Sequence, residues 1–277
     1  MKILKIMELP EVEFNEPTFN VLPDEAFTSM LLGDAADQAR LVVDDQDWPL
    51  ALALRTEGRW KATNFILRSP VVEAVERFEE LDGEIVRTTQ DDWMRATREY
   101  YSLSLLNTTA PAMEDYSAER AALVKALLKD TWGGRKGATC LDCGCGSGMG
   151  AAMLREVGLT PLAFDNDPTL LSLGLSKGRL LPEETMWIDA TLLGHYIRPT
   201  ELGLALMAGS INDFTALIWK AILHELMDQT EETMVTVEAE NEAELVRMWA
   251  LGAGKKAEIF ENQRDAFYDR WVLLIRD

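Results

Sequence analysis

The chain is poor in reactive side chains and in positive charge. Three cysteines and two histidines occur among 277 residues, and every cysteine (Cys140, Cys143, Cys145) falls in one short run. That is no framework for disulfides, and it agrees with a reducing compartment. Lys and Arg number 27 against 47 Asp and Glu, a formal charge of -20, with the acids spread along the chain. Such a field repels phosphate backbones and anionic lipid. A nucleic-acid substrate is therefore disfavoured, although Arg55, Arg59 and Lys61 make a local basic patch. No run approaches the roughly 18 apolar residues that span a bilayer. The opening MKILKIMELPEVEF is interrupted by Lys5 and Glu8 and is too short for a secretory signal, so a cytoplasmic protein without membrane contact is expected. There is no internal repeat or low-complexity tract. What remains, 47% hydrophobic and 27% charged, is the composition of an ordinary globular protein and excludes disorder and collagen.

A polar break, LLNTTAPAMEDYSAER at 105–120, reads as a loop leading into a helix. We place the domain boundary there, giving regions 1–110 and 111–277. The first is expected to be α-rich and to cover the mouth of a site as a substrate or cap region. A short strand is expected at KILKIM, with helices in PDEAFTSMLLGDAADQARLVV, in SPVVEAVERFEEL (Ser69 as cap, Pro70 in the first turn) and in DDWMRATREYYSLSLL. Tyr100 and Tyr101 are candidates for lining a lid. The second region alternates: helix SAERAALVKALLKDTW, strand ATCLDC, helix GMGAAMLREVG, strand PLAFD, helix PTLLSLGLSKGRL and strand TMWIDA. A helical stretch from Leu192 to about Met207 follows, then strand FTALIW, helix AILHELMDQTEE, strand MVTVEAE, helix NEAELVRMWALG and the strands KAEIFEN and RWVLLIR. Alternation implies an α/β, doubly wound Rossmann-like sheet. The final pair, joined without a helix, must be antiparallel.

The most informative stretch is CLDCGCGSGMG at 140–150. Asp142 ends a strand, and Gly144, Gly146 and Gly148 follow at alternate positions. Such a turn lets backbone approach a ligand closely, and the free N–H groups of the next helix suit an anionic or polar group. A metal site is disfavoured, because C-x-x-C-x-C has no second cysteine pair and no nearby histidine. The cysteines read as small residues filling tight space. A dinucleotide is a competing ligand, since Gly146, Gly148 and Ala151 satisfy G-x-G-x-x-A and Asp165 follows at the distance expected of a ribose contact. Asp142 and the closing antiparallel hairpin do not belong to that fingerprint.

Both fit another family. LDCGCGSG resembles motif I of the class I S-adenosylmethionine (SAM)-dependent methyltransferases, LAFDNDP looks like their second landmark and WIDAT like their third; the resemblance covers about residues 115–277. It implies a seven-stranded sheet with an antiparallel last strand, and SAM as cofactor. It also implies Asp165 on the two ribose hydroxyls and Asp189 on the adenine amine, with Asp142, Gly144, Gly146, Gly148, Asn166 and Ala190 completing the cofactor set. At strand four, where the family often has an acid, this chain offers Asp213 one step early and Thr215 in the aligned place.

IWKAILHELMD resembles the corresponding segment of small-molecule O-methyltransferases of the plant phenol type. That implies Lys220 near the cofactor, His224 as the base that takes a hydroxyl proton and Glu238, with Glu240 nearby, orienting it. Trp187 and Trp219 are expected to end strands beside adenine or substrate. His195 is expected to be structural or to line substrate. The expectation is therefore a SAM-dependent methyltransferase acting on a small-molecule acceptor at oxygen, without nucleic acid or metal, with a homodimer left open. Its alternatives are a methyltransferase for carbon, nitrogen or protein lacking a histidine base, an NAD-binding oxidoreductase, and a non-catalytic SAM-binding module.

Overall fold

The computed structural model describes all of residues 1–277, which divide into two compact units, Met1–Leu105 and Leu106–Asp277. In chain order the first contains α1 (Lys2–Met7), β1 (Glu13–Phe14), α2 (Ala26–Leu32), β2 (Gln38–Val43), β3 (Pro49–Thr56), β4 (Arg59–Asn64), α3 (Val72–Glu80), β5 (Glu84–Arg87) and α4 (Gln90–Thr108), whose last residues carry the division. Helical residues outnumber strand residues, yet the frame of this unit is a five-stranded sheet, β1-β4-β3-β2-β5, that the sequence pattern had not led us to expect. KILKIM is a helix rather than a strand, and the long helix expected at 23–43 stops at Leu32, with Gln38–Val43 pairing as β2. Hairpin β3–β4 turns through Glu57 and Gly58, both at positive φ (51° and 78°), a two-residue turn whose twist matches its strands.

This unit has its own apolar core, built around Leu41, Leu52, Leu54, Phe65 and Phe78. Beside it lies a buried polar cluster. Glu16 accepts from Thr63 Oγ1 (2.8 Å), from the Asn64 N–H (3.1 Å) and from Arg68, its ion-pair partner. Tyr101 is 5% exposed and its ring meets those of Phe14, Phe19 and Tyr100, so it is a core residue and not part of a lid.

The second unit contains α5 (Ala118–Trp132), β6 (Thr139–Cys143), α6 (Met149–Glu156), β7 (Thr160–Asp165), α7 (Pro168–Ser176), β8 (Thr185–Trp187), β9 (Thr200–Ala205), α8 (Ala216–Asp228), β10 (Thr230–Val237), α9 (Glu240–Gly252), β11 (Lys256–Glu261) and β12 (Trp271–Arg276). Local chemistry starts the helices well. Ser117 caps α5 by accepting from the Arg120 N–H, and Asp167 caps α7 by accepting from the Thr169 N–H, with Pro168 at the first helical position. Ala121, Val124, Leu127 and Leu128 give α5 a helical-period stripe that packs with Cys140, Leu154, Leu202, Leu204 and Met234.

The seven strands lie in the order β11-β12-β10-β9-β6-β7-β8. All pairings are parallel except those of β12, which runs antiparallel to both β10 and β11. The doubly wound sheet with one reversed strand thus agrees with the expected arrangement. Strand four does not: it is Thr200–Ala205, inside the stretch expected to be helical, and Phe214–Trp219 form no strand, Ala216 onward belonging to α8. Winding runs outward from β6 through β7 to β8 and then resumes on its other side with β9. A crevice opens beyond the carboxyl ends of β6 and β9, where such sheets bind ligands.

Candidate functional site

The glycine turn fills that crevice. Gly144, Gly146 and Gly148 hold φ values of 65°, 51° and 84°, a left-handed run that side chains with a Cβ resist. At Gly148 space is closed as well, since a Cβ would come within 2.6 Å of Leu180. The turn brings α6 to start directly over Asp142. That carboxylate is 1% exposed, and a Cβ on Gly150 would lie 2.7 Å from its Oδ1. The N–H of Ala151 faces it, but Oδ2 has no hydrogen-bond partner. Burial is the main cause that raises its pKa to about 7, against the lowering effect of that N–H.

Asp165, half-buried at the end of β7, uses both oxygens on backbone: Oδ2 accepts from the Gly146 N–H and Oδ1 from the Asp167 N–H, each at 2.8 Å. Burial raises its pKa too, opposed by these N–H groups. Trp187 pairs in register with Asp165 and donates from its indole to the Asn166 carbonyl at 3.1 Å. Asp189 is exposed and caps a short 3-10 turn beginning at Ala190, accepting from the Thr191 N–H (2.9 Å) and Oγ1 (2.8 Å). Asp142, Asp165 and Asp189 therefore stand at the same end of three neighbouring parallel strands. The three thiols are buried, which pushes each one up and away from the thiolate form, so they pack rather than react.

A cavity of about 140 Å³ lies against the turn, and its lining includes Asp142, Gly144, Gly146, Ser147, Gly150, Leu206, Arg120 and residues 115–117. Residues 114–117, expected only as a loop, dock on the turn. Ser147 Oγ donates to Asp115 at 2.6 Å, and Arg179 joins Glu114 (2.9 Å), the Ser147 carbonyl (2.8 Å) and the face of Tyr116. Arg120, Asp115, Arg179 and Asp269 were not legible as site residues. They are far apart in sequence, and the only signal available, charge complementarity, does not identify partners without the fold.

The residues tied to strand four come out differently. Because β9 ends at Ala205, Trp219 and Lys220 sit on α8 rather than at a strand end: Lys220 is exposed, and Trp219 packs its ring on Gly209. Asp213 and Thr215 lie in the turn before α8, where Thr215 Oγ1 donates to the Ser210 carbonyl at 2.6 Å. His224 is half-buried on α8 with Nε2 enclosed and unpartnered, while Glu238 is exposed just after β10, and no hydrogen bond joins the two. Glu240, at the start of α9, and His195 are both exposed.

No family model matches the chain, and no curated protein does. Solved structures do. A magnesium protoporphyrin IX methyltransferase from Synechocystis PCC 6803 with bound SAM aligns at 13% identity over 66% of this chain and 97% of its own, with a TM-score of 0.47. A putative RNA methyltransferase from Pyrococcus horikoshii aligns at 10% identity over 63% and 94%, with a TM-score of 0.44. A ribosomal protein L11 methylase from Lactobacillus delbrueckii subsp. bulgaricus aligns at 13% identity over 70% and 86%, with a TM-score of 0.45. These matches correct one expectation. Methylases named for RNA and for protein stand among them, so the exclusion of nucleic acid and the choice of a small-molecule acceptor are withdrawn. The physical error was to let net charge, a property of the whole chain, decide what a local surface can bind. No helix is long and apolar enough to cross a membrane.

Proposed function

We propose that the C-terminal unit binds SAM and that the protein is a methyltransferase. The observation that carries this reading is the convergence of Asp142, Asp165 and Asp189 at the ends of three neighbouring parallel strands, around one glycine turn. The cofactor presents an ammonium, a ribose diol and an adenine amine, all donors that carboxylates accept well. The unpartnered oxygen of Asp142 suits the ammonium. Asp165 keeps lone pairs for the two hydroxyls beyond the two backbone N–H groups it already accepts, and Asp189 reaches the amine beside the half-buried Trp187. Bound there, the sulfonium supplies an activated methyl group, and the chain's own task is to hold it and align an acceptor with it. The reversed β12 weighs against a dinucleotide. Acceptor selection is assigned to residues 1–105, which have a separate core and hold none of these carboxylates.

Calorimetry with SAM, S-adenosylhomocysteine and NAD tests the reading: micromolar binding of the two sulfur ligands and none of NAD is expected. Silence for both sulfur ligands would sink it. The finer proposal is transfer to oxygen with His224 as general base, and it is supported by that ring's unpartnered Nε2. Because this nitrogen is enclosed, an acceptor reaches it only by displacing its neighbours. His224→Ala is expected to leave cofactor affinity within twofold and to cut turnover at least a hundredfold, and intact turnover would remove the base.

A further inference from the structure

Helix α8 is apolar on two sides. Leu223, Leu226 and Met227 form the buried one, and Leu226 meets β9 at Gly203, where a Cβ would come within 3.1 Å of its Cδ1. The outer side of a surface helix is ordinarily polar. Here it carries Phe214, in the turn before the helix, then Leu217, Ile218, Ala221 and Ile222. That spacing of i, i+3, i+4, i+7 and i+8 puts all five on one stripe. Phe214 is 97% exposed, the highest value of any large apolar side chain in the protein, and Leu217 is 81% and Ile218 50% exposed. A helix apolar all round is normally covered on every side, and an exposed patch of this kind marks an interaction surface.

Charge selects what covers it. Glu225 and Asp228 continue the same stripe toward the end of the helix, and Asp213 stands just ahead of Phe214. Against these three acids, residues 212–229 hold one lysine, Lys220, and no arginine. A second copy would bring its own charge of -20, and anionic lipid is repelled in the same way. A helix of the opposite sign, with an apolar stripe between basic residues, complements both features. We propose that this face of α8 docks a basic amphipathic helix of another protein, with its apolar anchors on Phe214, Leu217 and Ile218 and its cations on Glu225 and Asp228. This role is independent of whether the glycine turn holds SAM.

Two labelled Leu/Lys peptides of about 18 residues, about five helical turns, test it by fluorescence anisotropy on the full chain. One gathers its leucines on a single helix face, and the other has the same composition with leucines spread all round. Salt at about 0.15 M screens exposed charges beyond about 8 Å. The one-faced peptide is expected to bind at least about tenfold tighter than the other, and Leu217→Glu to weaken it about tenfold or more. Met248→Glu, the same charge change at a 56% exposed position of α9, should leave its affinity within twofold. Because both substitutions add negative charge, mere attraction to an acidic chain would tighten binding to both variants, and that result overturns the proposal. Equal affinity for the two peptides, or none for either, overturns it too. So does sedimentation in which the unmutated chain pairs with itself and Leu217→Glu does not, which would give the stripe to a second copy. Phosphatidylcholine vesicles that retain the unmutated chain and release Leu217→Glu would give it to lipid instead.

Discussion

Asp142→Asn is expected to do two opposite things at pH 8: weaken S-adenosylhomocysteine binding about a hundredfold and raise the melting temperature of the ligand-free protein by a few degrees. Both follow from one fully enclosed carboxylate with an unpartnered oxygen and a pKa raised to about 7. An unfolded chain ionises this position near the ordinary aspartate value of 3.8. Between about pH 4 and 7 the unfolded state is therefore charged while the folded state keeps its proton. Stability from this group declines as pH rises through that window and is level above it. Raising the group from 3.8 to about 7 corresponds to about 4 kcal/mol. An enclosed amide with an unpartnered NH₂ gives back about 1–3 kcal/mol of that, so the variant gains about 1–3 kcal/mol, at about 2–4 °C each. Binding runs the other way, because an ammonium needs the ionised acid. Affinity of the unmutated protein should rise about tenfold from pH 6 to 8, and the variant should lose most of that rise. Calorimetry across pH, paired with thermal melts, checks both. A variant that melts lower at pH 8 would show that the carboxylate is satisfied in a way its geometry does not reveal.

Asp165→Ala is expected to remove detectable binding of S-adenosylhomocysteine and of adenosine alike. The carboxylate would accept both ribose hydroxyls, and hydrogen bonds to a charged group contribute about 1.5–3 kcal/mol each. At about 1.4 kcal/mol per decade, two of them account for a hundredfold or more. The same side chain holds the Gly146 N–H, so its loss also frees the turn that shapes the cavity. Adenosine separates the two acids: it lacks the amino-acid end, so Asp142→Asn should spare it and Asp165→Ala should not. Adenosine binding that survives Asp165→Ala would move the ribose elsewhere.

The glycine turn and its carboxylates were legible because their constraint is local. Positive φ at alternate positions demands glycine, and an acid at the end of a parallel strand is announced by the apolar run before it. Strand four was missed for an equally physical reason. TELGLA is buried almost throughout, so it lacks the alternation of a half-exposed strand, and its Leu and Ala are strong helix formers. The aromatic and branched residues of FTALIW look like a strand, yet Phe214 is 97% and Leu217 81% exposed around the start of α8. Misplacing that strand moved Trp219 and Lys220 to the sheet edge on paper, and with them the setting inferred for His224. In the N-terminal unit a signal was present and passed over: two extended runs flank Glu57-Gly58, a dipeptide that supports a two-residue hairpin. The contacts of Arg120 with Asp269 and of Arg179 with Glu114 and Ser147 had no sequence signal, since each joins residues that only the folded chain brings together.

β12 lies between β10 and β11 although it follows both in the chain. During synthesis, β11 emerges with no neighbour in the sheet to pair with and must wait until β12 slots in and carries it along. Asp269 sits two residues before β12. Asp269, which accepts from Arg120 Nε at 3.0 Å, therefore arrives together with the last strand, so the order of translation leaves this part of the cavity's surroundings the last to be fixed.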